Sequence, residues 1–375
     1  MKYLAFRLPD LQELHGDLEL DDVSLTRGIN APGEINANLR AAEAYRGVTV
    51  EGTDEQVGLI REFGTLIVAL RGRKARGFIL HYAEETAEDQ EVLALQGFGV
   101  GTIPDEMPWE GPDREHIQVD PMAVVREIWG HVTDNPDVLT VTVDRTRSPV
   151  RIGEEEREIE FTTSSGEDVS FEAGPYRLNW YSTTDLGKEF QDLATETPFE
   201  WREVTTLDRD SEAPPSFHIE LGYPILEPVE RDLYFEVGAN VIAPDQSSDQ
   251  DFYTEVLVLG AGEGNKKRRG SAKREGGDRR MRRVKVVEDR SLTSNRRCDQ
   301  RAKEVLAATR PDKFWTNVSV TPRPSTPPEA YDVGDIITVK GLTVWGRHSQ
   351  KCRIVELTHH LETDVVDLQL EPWGT

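Results

Sequence analysis

The spacing of apolar residues limits this chain more than any motif does. Val23-Ser24-Leu25-Thr26 and Ile35-Asn36-Ala37-Asn38-Leu39 alternate apolar with polar positions, and the intervening Asn30-Ala31-Pro32-Gly33 is turn chemistry, which predicts a hairpin. Residues 65–70, a polar turn over 71–76, then 77–82 and 91–95 continue as a meander of short runs. Runs about 8–12 residues apart suit a β-sandwich or barrel, and nothing between them calls for a helical crossover. Residues 102–118, rich in Pro, Gly, Asp and Glu, read as a linker.

Past residue 119 the period becomes helical. Asp120 can cap, Pro121 can take the first helical position, and Val124, Val125, Ile128, Trp129 and Val132 share a stripe, so 120–134 is a predicted helix ending at Asp134-Asn135-Pro136. Short β runs follow at 139–143, 158–161 and 168–171. Thr183-Thr184-Asp185 starts a second helix carrying Leu186, Phe190, Leu193 and Ala194; Thr197-Pro198 ends it, and 199–204 alternates as a strand. The β pattern returns at 218–221, 233–237 and 254–259, and 283–287 reads as the return strand of a long hairpin. A third helix is capped within 293–295 and carries Cys298, Ala302, Val305, Leu306 and Thr309 on its stripe. Pro311 closes it, and a proline-rich link precedes a last β module at 335–340, 352–357 and 364–370.

Charge sharpens this outline. The 375 residues, with 37 % hydrophobic and 30 % charged, suffice for two or three domains and exclude a wholly disordered chain. A net charge of −25 opposes non-specific binding to nucleic acid or to an anionic membrane. It is unevenly placed: residues 1–265 hold 21 basic and 54 acidic side chains (−33), whereas 266–303 hold 16 and 5 (+11). Cys298 and Cys352 are too few for a disulfide framework, so a reducing compartment is expected. The run Tyr3-Leu4-Ala5-Phe6 is too short for a signal peptide, and no stretch reaches the roughly 20 apolar residues of a membrane span. We therefore expect a soluble chain without a cleaved leader.

Catalytic patterns are sparse. The string from Glu255 to Lys267 runs from an apolar strand into glycines and a lysine, but it lacks the hydroxyl of a Walker loop and the apolar helix of a dinucleotide fingerprint. No histidine pairing suggests a metal, His359 and His360 would face opposite sides of a strand, and no spacing singles out a carboxylate pair. The basic segment, with Lys266, Lys267, Arg268, Arg269, Arg279, Arg280, Arg282 and Arg283, is interleaved with glycine and not with aromatics. It reads as an arm onto an acidic protein surface, as a solvated loop, or more weakly as a phosphate contact.

Several non-catalytic runs carry a resemblance. These are Asp120-Pro121-Met122-Ala123-Val124-Val125-Arg126-Glu127-Ile128-Trp129-Gly130-His131, then Thr142-Val143-Asp144 with 148–153, then Pro175-Tyr176-Arg177-Leu178-Asn179-Trp180-Tyr181 leading to 184–187 and 193–199, and last Val258-Leu259-Gly260-Ala261-Gly262-Glu263-Gly264. In this order they resemble minor tail proteins, or tail-tip (baseplate) hub proteins, of siphophages infecting actinobacteria. The resemblance implies a mainly β fold with α+β parts and a homotrimer. Two β-barrel-like tube domains per chain, 1–118 and 238–310, would form a ring continuing the tail tube. A peripheral α+β domain (119–237) and a small C-terminal β domain (311–375) would sit outside. It also implies a structural role without catalysis or cofactor, at the distal end of the virion tail after synthesis in the host cytoplasm. The partners would be the tail tube or distal tail protein, the tape measure protein and tip or fibre proteins, with phage DNA passing unbound through an acidic lumen and no membrane insertion. The alternative is a tail-associated cell-envelope hydrolase using paired carboxylates.

Overall fold

The computed structural model describes residues 1–40, 42, 47–49, 56–85, 92–162, 168–209, 213–248, 253–262, 264–274, 281–289, 292, 294–308, 313–343 and 346–373. The chain divides into two compact units. One holds Met1–Glu155, Pro175–Pro244 and Asn317–Thr375; the other holds Glu156–Gly174 and Asp245–Thr316.

The first unit is built on one large, mostly antiparallel sheet. Its opening layer has the spatial order Glu13–His15, Lys2–Arg7, Thr65–Arg71, Lys74–Glu85, Val92–Phe98, Ala31–Arg40, Leu20–Gly28. Side chains from one face of every strand, such as Tyr3, Leu14, Leu25, Ile35, Phe78 and Leu93, share one core. The opposite face of Lys2–Arg7 and Thr65–Arg71 sends Leu4, Phe6, Leu66 and Val68 into a second core. Burial on both faces explains why these two strands read as continuous apolar runs and not as alternation. The hairpin turns earlier than its Pro-Gly suggests. Asn30 takes a φ of 56° and its side chain accepts from Trp201 N at 2.8 Å; the strand opens at Ala31, opposite Gly28, and the register shifts over Pro32 and Gly33 before Glu34 meets Thr26.

The sheet branches where Lys74–Glu85 outruns its partner. Val92–Phe98 stops pairing at Ile79, and beyond it Thr205 of strand Glu200–Thr206 pairs with Ala75. Gly77 lies at this junction; a Cβ there would stand 2.6 Å from the Phe217 ring, so only glycine lets the strands approach. Glu200–Thr206 then pairs with Ser216–Gly222, which takes Val141–Val143 in parallel. At the other end Leu20–Gly28 pairs with Gly346–His360, which carries Val365–Pro372 and Ile336–Thr343 on its two sides. Glu230–Glu236 joins Ile336–Thr343 in parallel, and Lys313–Val320 joins Val365–Pro372. The last β module is thus continuous with the first layer, because residues 24–28 leave an edge that 356–360 completes. Among the described residues the pairings close no barrel.

Two helices cover the second core. Asp120 caps Pro121–Thr133 by accepting from Met122 N at 3.1 Å, and it also holds Ser148. Asp185 caps Leu186–Glu196 through Lys188 N at 2.9 Å. Trp129, Phe190 and Trp201 stack in sequence between the helices and the sheet. Residues 102–118 are no free linker: Ile103 and Trp109 are buried, and the 104–109 backbone bonds Thr183, Leu186 and Gly187.

In the second unit a hairpin pairs Arg157–Thr162 with Asp168–Ala173. A three-stranded sheet has Glu255–Leu259 at its centre, Arg269–Lys273 antiparallel on one side and Val284–Glu288 on the other. The last pairing is parallel, which corrects the expected long hairpin. The basic segment supplies a strand of its own on one edge, so Val284–Glu288 takes the other edge in the same direction as the centre strand. Helix Asn295–Ala308 packs Cys298, Ala302 and Leu306 on Val256 and Val258. The predicted stripe position Thr309 lies outside the described residues.

Candidate interaction surface

The basic residues expected to act together are separated by their own strand. Lys266, Lys267, Arg268 and Arg269 lie at the Leu259 end of the centre strand, whereas Arg282 and Arg283 lie at its Glu255 end. Five-residue strands at about 3.3 Å per residue keep these groups on the order of 13 Å apart. Arg279 and Arg280 lie outside the described residues.

Each group has internal commitments. Lys267 Nζ pairs with Glu288 Oε1 at 3.3 Å, and Arg282 Nε with Glu255 Oε2 at 2.8 Å. The Arg282 guanidinium holds the Glu255 carboxyl below the usual carboxylate range, chiefly through that hydrogen bond. Arg283 and Lys285 both sit over the Tyr253 ring at 5.3 Å. The exposed edge of Arg269–Lys273 is covered by the helix: Asn295 Oδ1 accepts from Arg269 N at 3.1 Å and Asp299 Oδ1 from Ser271 N at 3.0 Å. Gly270 makes this possible, since a Cβ would stand 2.1 Å from Asp299 N. Lys266, Arg268 and Arg269 are exposed with no side-chain partner among the described residues and are presented outward; Lys273, Arg282 and Arg283 are exposed as well.

The glycine-rich string is a tight turn. Gly260 N bonds Arg268 O at 2.7 Å and Arg268 N bonds Ala261 O at 2.8 Å, so these two amides are spent on the turn's own carbonyls. Cys298 and Cys352 are buried, and burial raises both thiols, Cys352 to about 12. His359 and His360 face opposite sides of their strand and bond Asp364 and Asp367 separately. Among the described residues no group of three His, Cys, Asp or Glu side chains could hold a metal ion. Two carboxyls are raised, Asp105 to about 6 by burial and by Asp185 and Glu106, and Glu203 to about 7 by burial. Glu203 accepts from Gly101 N at 2.5 Å and Gly33 N at 3.3 Å, a structural tie between the 100–102 turn and the strand Ala31–Arg40.

A second patch lies in the first unit. Trp180 and Tyr181 are 67 % and 63 % exposed, with rings nearly perpendicular at 5.7 Å. Asn179 Oδ1 and Thr183 Oγ1 each accept a backbone N–H within this turn, which presents the two rings outward. Exposed Trp and Tyr on an ordered turn are the composition of protein-binding hot spots. The legible signal was two adjacent large aromatics between an asparagine and a threonine.

The sequence matches no family model and no curated protein. Solved structures do match along its whole length. The prophage tail protein gp18 from Listeria monocytogenes EGD-e aligns with a TM-score of 0.55 at 10 % identity, covering 100 % of this chain and 96 % of that one. The tail protein from Neisseria meningitidis MC58 gives 0.56 at 10 % identity, covering 100 % and 98 %. The 43 kDa tail protein of prophage MuSo2 from Shewanella oneidensis gives 0.55 at 9 %, covering 99 % and 98 %. The chain therefore has the fold of these phage tail proteins, over the full extent of both partners in each comparison.

Proposed function

We propose that this chain is a structural phage tail protein, a tail-tip hub that forms a trimeric ring at the distal end of the tail tube. The observation that carries the reading is the full-length likeness in fold to three tail proteins. In this reading the opening seven-strand layer is one tube module. The expected second tube module is 238–310, and the strands within 230–244 and 317–372 continue the first layer through the 24–28 and 356–360 ladder. The helical block around Trp129 is peripheral, and the tail tube or distal tail protein, the tape measure protein and tip or fibre proteins are the partners. Phage DNA passes through the ring without being held. The absence of catalysis belongs to the same reading, and both raised carboxyls are accounted for by their buried surroundings.

Light scattering with negative-stain imaging tests the ring. A mass three times that of the chain and a central channel are expected; a monomer that clears peptidoglycan would favour the hydrolase. The outward cations make a separate prediction. Replacing Lys266, Lys267, Arg268 and Arg269 with Ser should leave the thermal transition within about 1 kcal/mol of the parent, because exposed charges contribute little to folding. Assembly into tails should weaken, and unchanged assembly would reduce the segment to a solvated turn.

A further inference from the structure

Within the first unit a cavity of about 250 Å³ gathers five cations, Arg27, Lys74, Arg76, Arg202 and Arg231. They come from segments far apart in sequence, in a chain whose net charge is −25. Three carboxylates line the same cavity, Glu203, Asp332 and Asp335, and Glu220 reaches Arg202 from beside it. Asp332 alone serves three cations: Arg27 Nη1 bonds its Oδ1, Arg76 Nη2 its Oδ2 at 2.5 Å, and Lys74 Nζ stands 3.8 Å away. Glu203 is committed to the amides of Gly33 and Gly101. Five cations against four carboxylates leave the cluster one negative charge short.

Donors remain unspent. Arg231 uses Nε on Asp335 at 2.9 Å, which leaves both Nη groups; Arg202 uses Nε on Glu220 and Nη1 on Val333 O, which leaves Nη2. Lys74 Nζ has one further contact, Tyr331 O at 3.4 Å. Lys74 and Arg231 are the more open side chains, at 38 % and 42 %, so they stand at the mouth, with Arg27 and Arg76 behind them. We propose that this cavity binds an oxyanion, gripped at the mouth by Lys74 and Arg231 and completed by Arg202. Planar guanidinium forks and a lysine point charge around one small volume are the donor set that phosphate and carboxylate groups take. Crowding of the cations agrees. Burial, then Arg27, pushes Arg76 down to about 10, and burial together with the neighbouring arginines lowers the Lys74 ammonium. An incoming anion would relieve both.

Two sources share this chemistry, a free phosphate-class ion and a side-chain carboxylate from an acidic segment of a neighbouring chain. The inference does not rest on the tail assignment. Thermal unfolding and titration calorimetry of the full chain with inorganic phosphate, with a triglutamate peptide, and with chloride at matched ionic strength test it. Phosphate alone raising the melting temperature assigns a free ion; triglutamate doing so assigns a partner carboxylate. Lys74→Gln with Arg231→Gln should weaken the effective ligand by about tenfold or more, the worth of a charge-assisted bond. If that pair does not fold, Arg231→Gln alone carries the comparison. No shift beyond chloride with either ligand, or equal affinity in the variant, overturns the proposal and leaves the cluster as an internal clasp.

Discussion

Arg353 and Glu200 meet across two strands as a bidentate pair, Nη1 to Oε1 at 2.7 Å and Nη2 to Oε2 at 2.5 Å, with the Arg353 side chain 2 % exposed. Removing one partner of a buried pair strands the other charge. Arg353→Met should therefore cost about 3–5 kcal/mol in urea unfolding, and adding Glu200→Gln should recover part of it. Glu203 makes a pH prediction. Its folded carboxyl is raised from 4.5 to about 7, so between those values the folded state keeps a proton that the unfolded chain releases. Stability from this group is complete below the unfolded value and is lost as the pH rises through 7. The parent should lose stability from pH 5 to 8 relative to Glu203→Gln; parallel profiles would show that Glu203 does not titrate this way. None of these residues was distinguishable in sequence. Their partners lie 153 positions away for Glu200 and Arg353, and 102 and 170 positions away for Glu203, and apolar periodicity says nothing of them.

Elements were legible where local chemistry decides them. Asp120 and Asp185 cap the first two helices where the sequence places them, and every residue of the expected stripes is buried, with Pro121, Met122 and Gly187 in addition. Strand direction was not legible, because alternation is the same for parallel and antiparallel partners. Val284–Glu288 shows this: its alternation predicted a strand, and only the intervening Arg269–Lys273 makes it parallel to the centre strand. The 102–118 segment failed for the opposite reason, since its Pro and Gly are the signals of a loop while Ile103 and Trp109 dock into a core. The second unit depends on one such close approach. Gly270→Ala would press a methyl into the backbone of Asn295–Ala308 and should destabilise that unit by about 2–3 kcal/mol. Hydrogen exchange should then accelerate over 255–308 and stay unchanged over 65–98; uniform protection would contradict the packing.

For the whole molecule, one extended sheet carries the first proposed tube layer and the strands that continue it, and basic side chains project from the second unit of an otherwise acidic chain. The β character of both ends and the helices between them followed from the sequence. The joining of the last module to the first did not, because it depends on an edge pairing more than 300 positions apart. The charge split follows the chain: residues 1–265 carry −33, and the outward cations of the second unit lie in the +11 stretch that follows. Electron microscopy of tailed particles carrying the protein tests the central claim most directly. Three copies around a threefold axis at the distal end of the tube, enclosing an open channel, are predicted. Density for the chain elsewhere on the particle, or a single copy off the axis, would contradict the account.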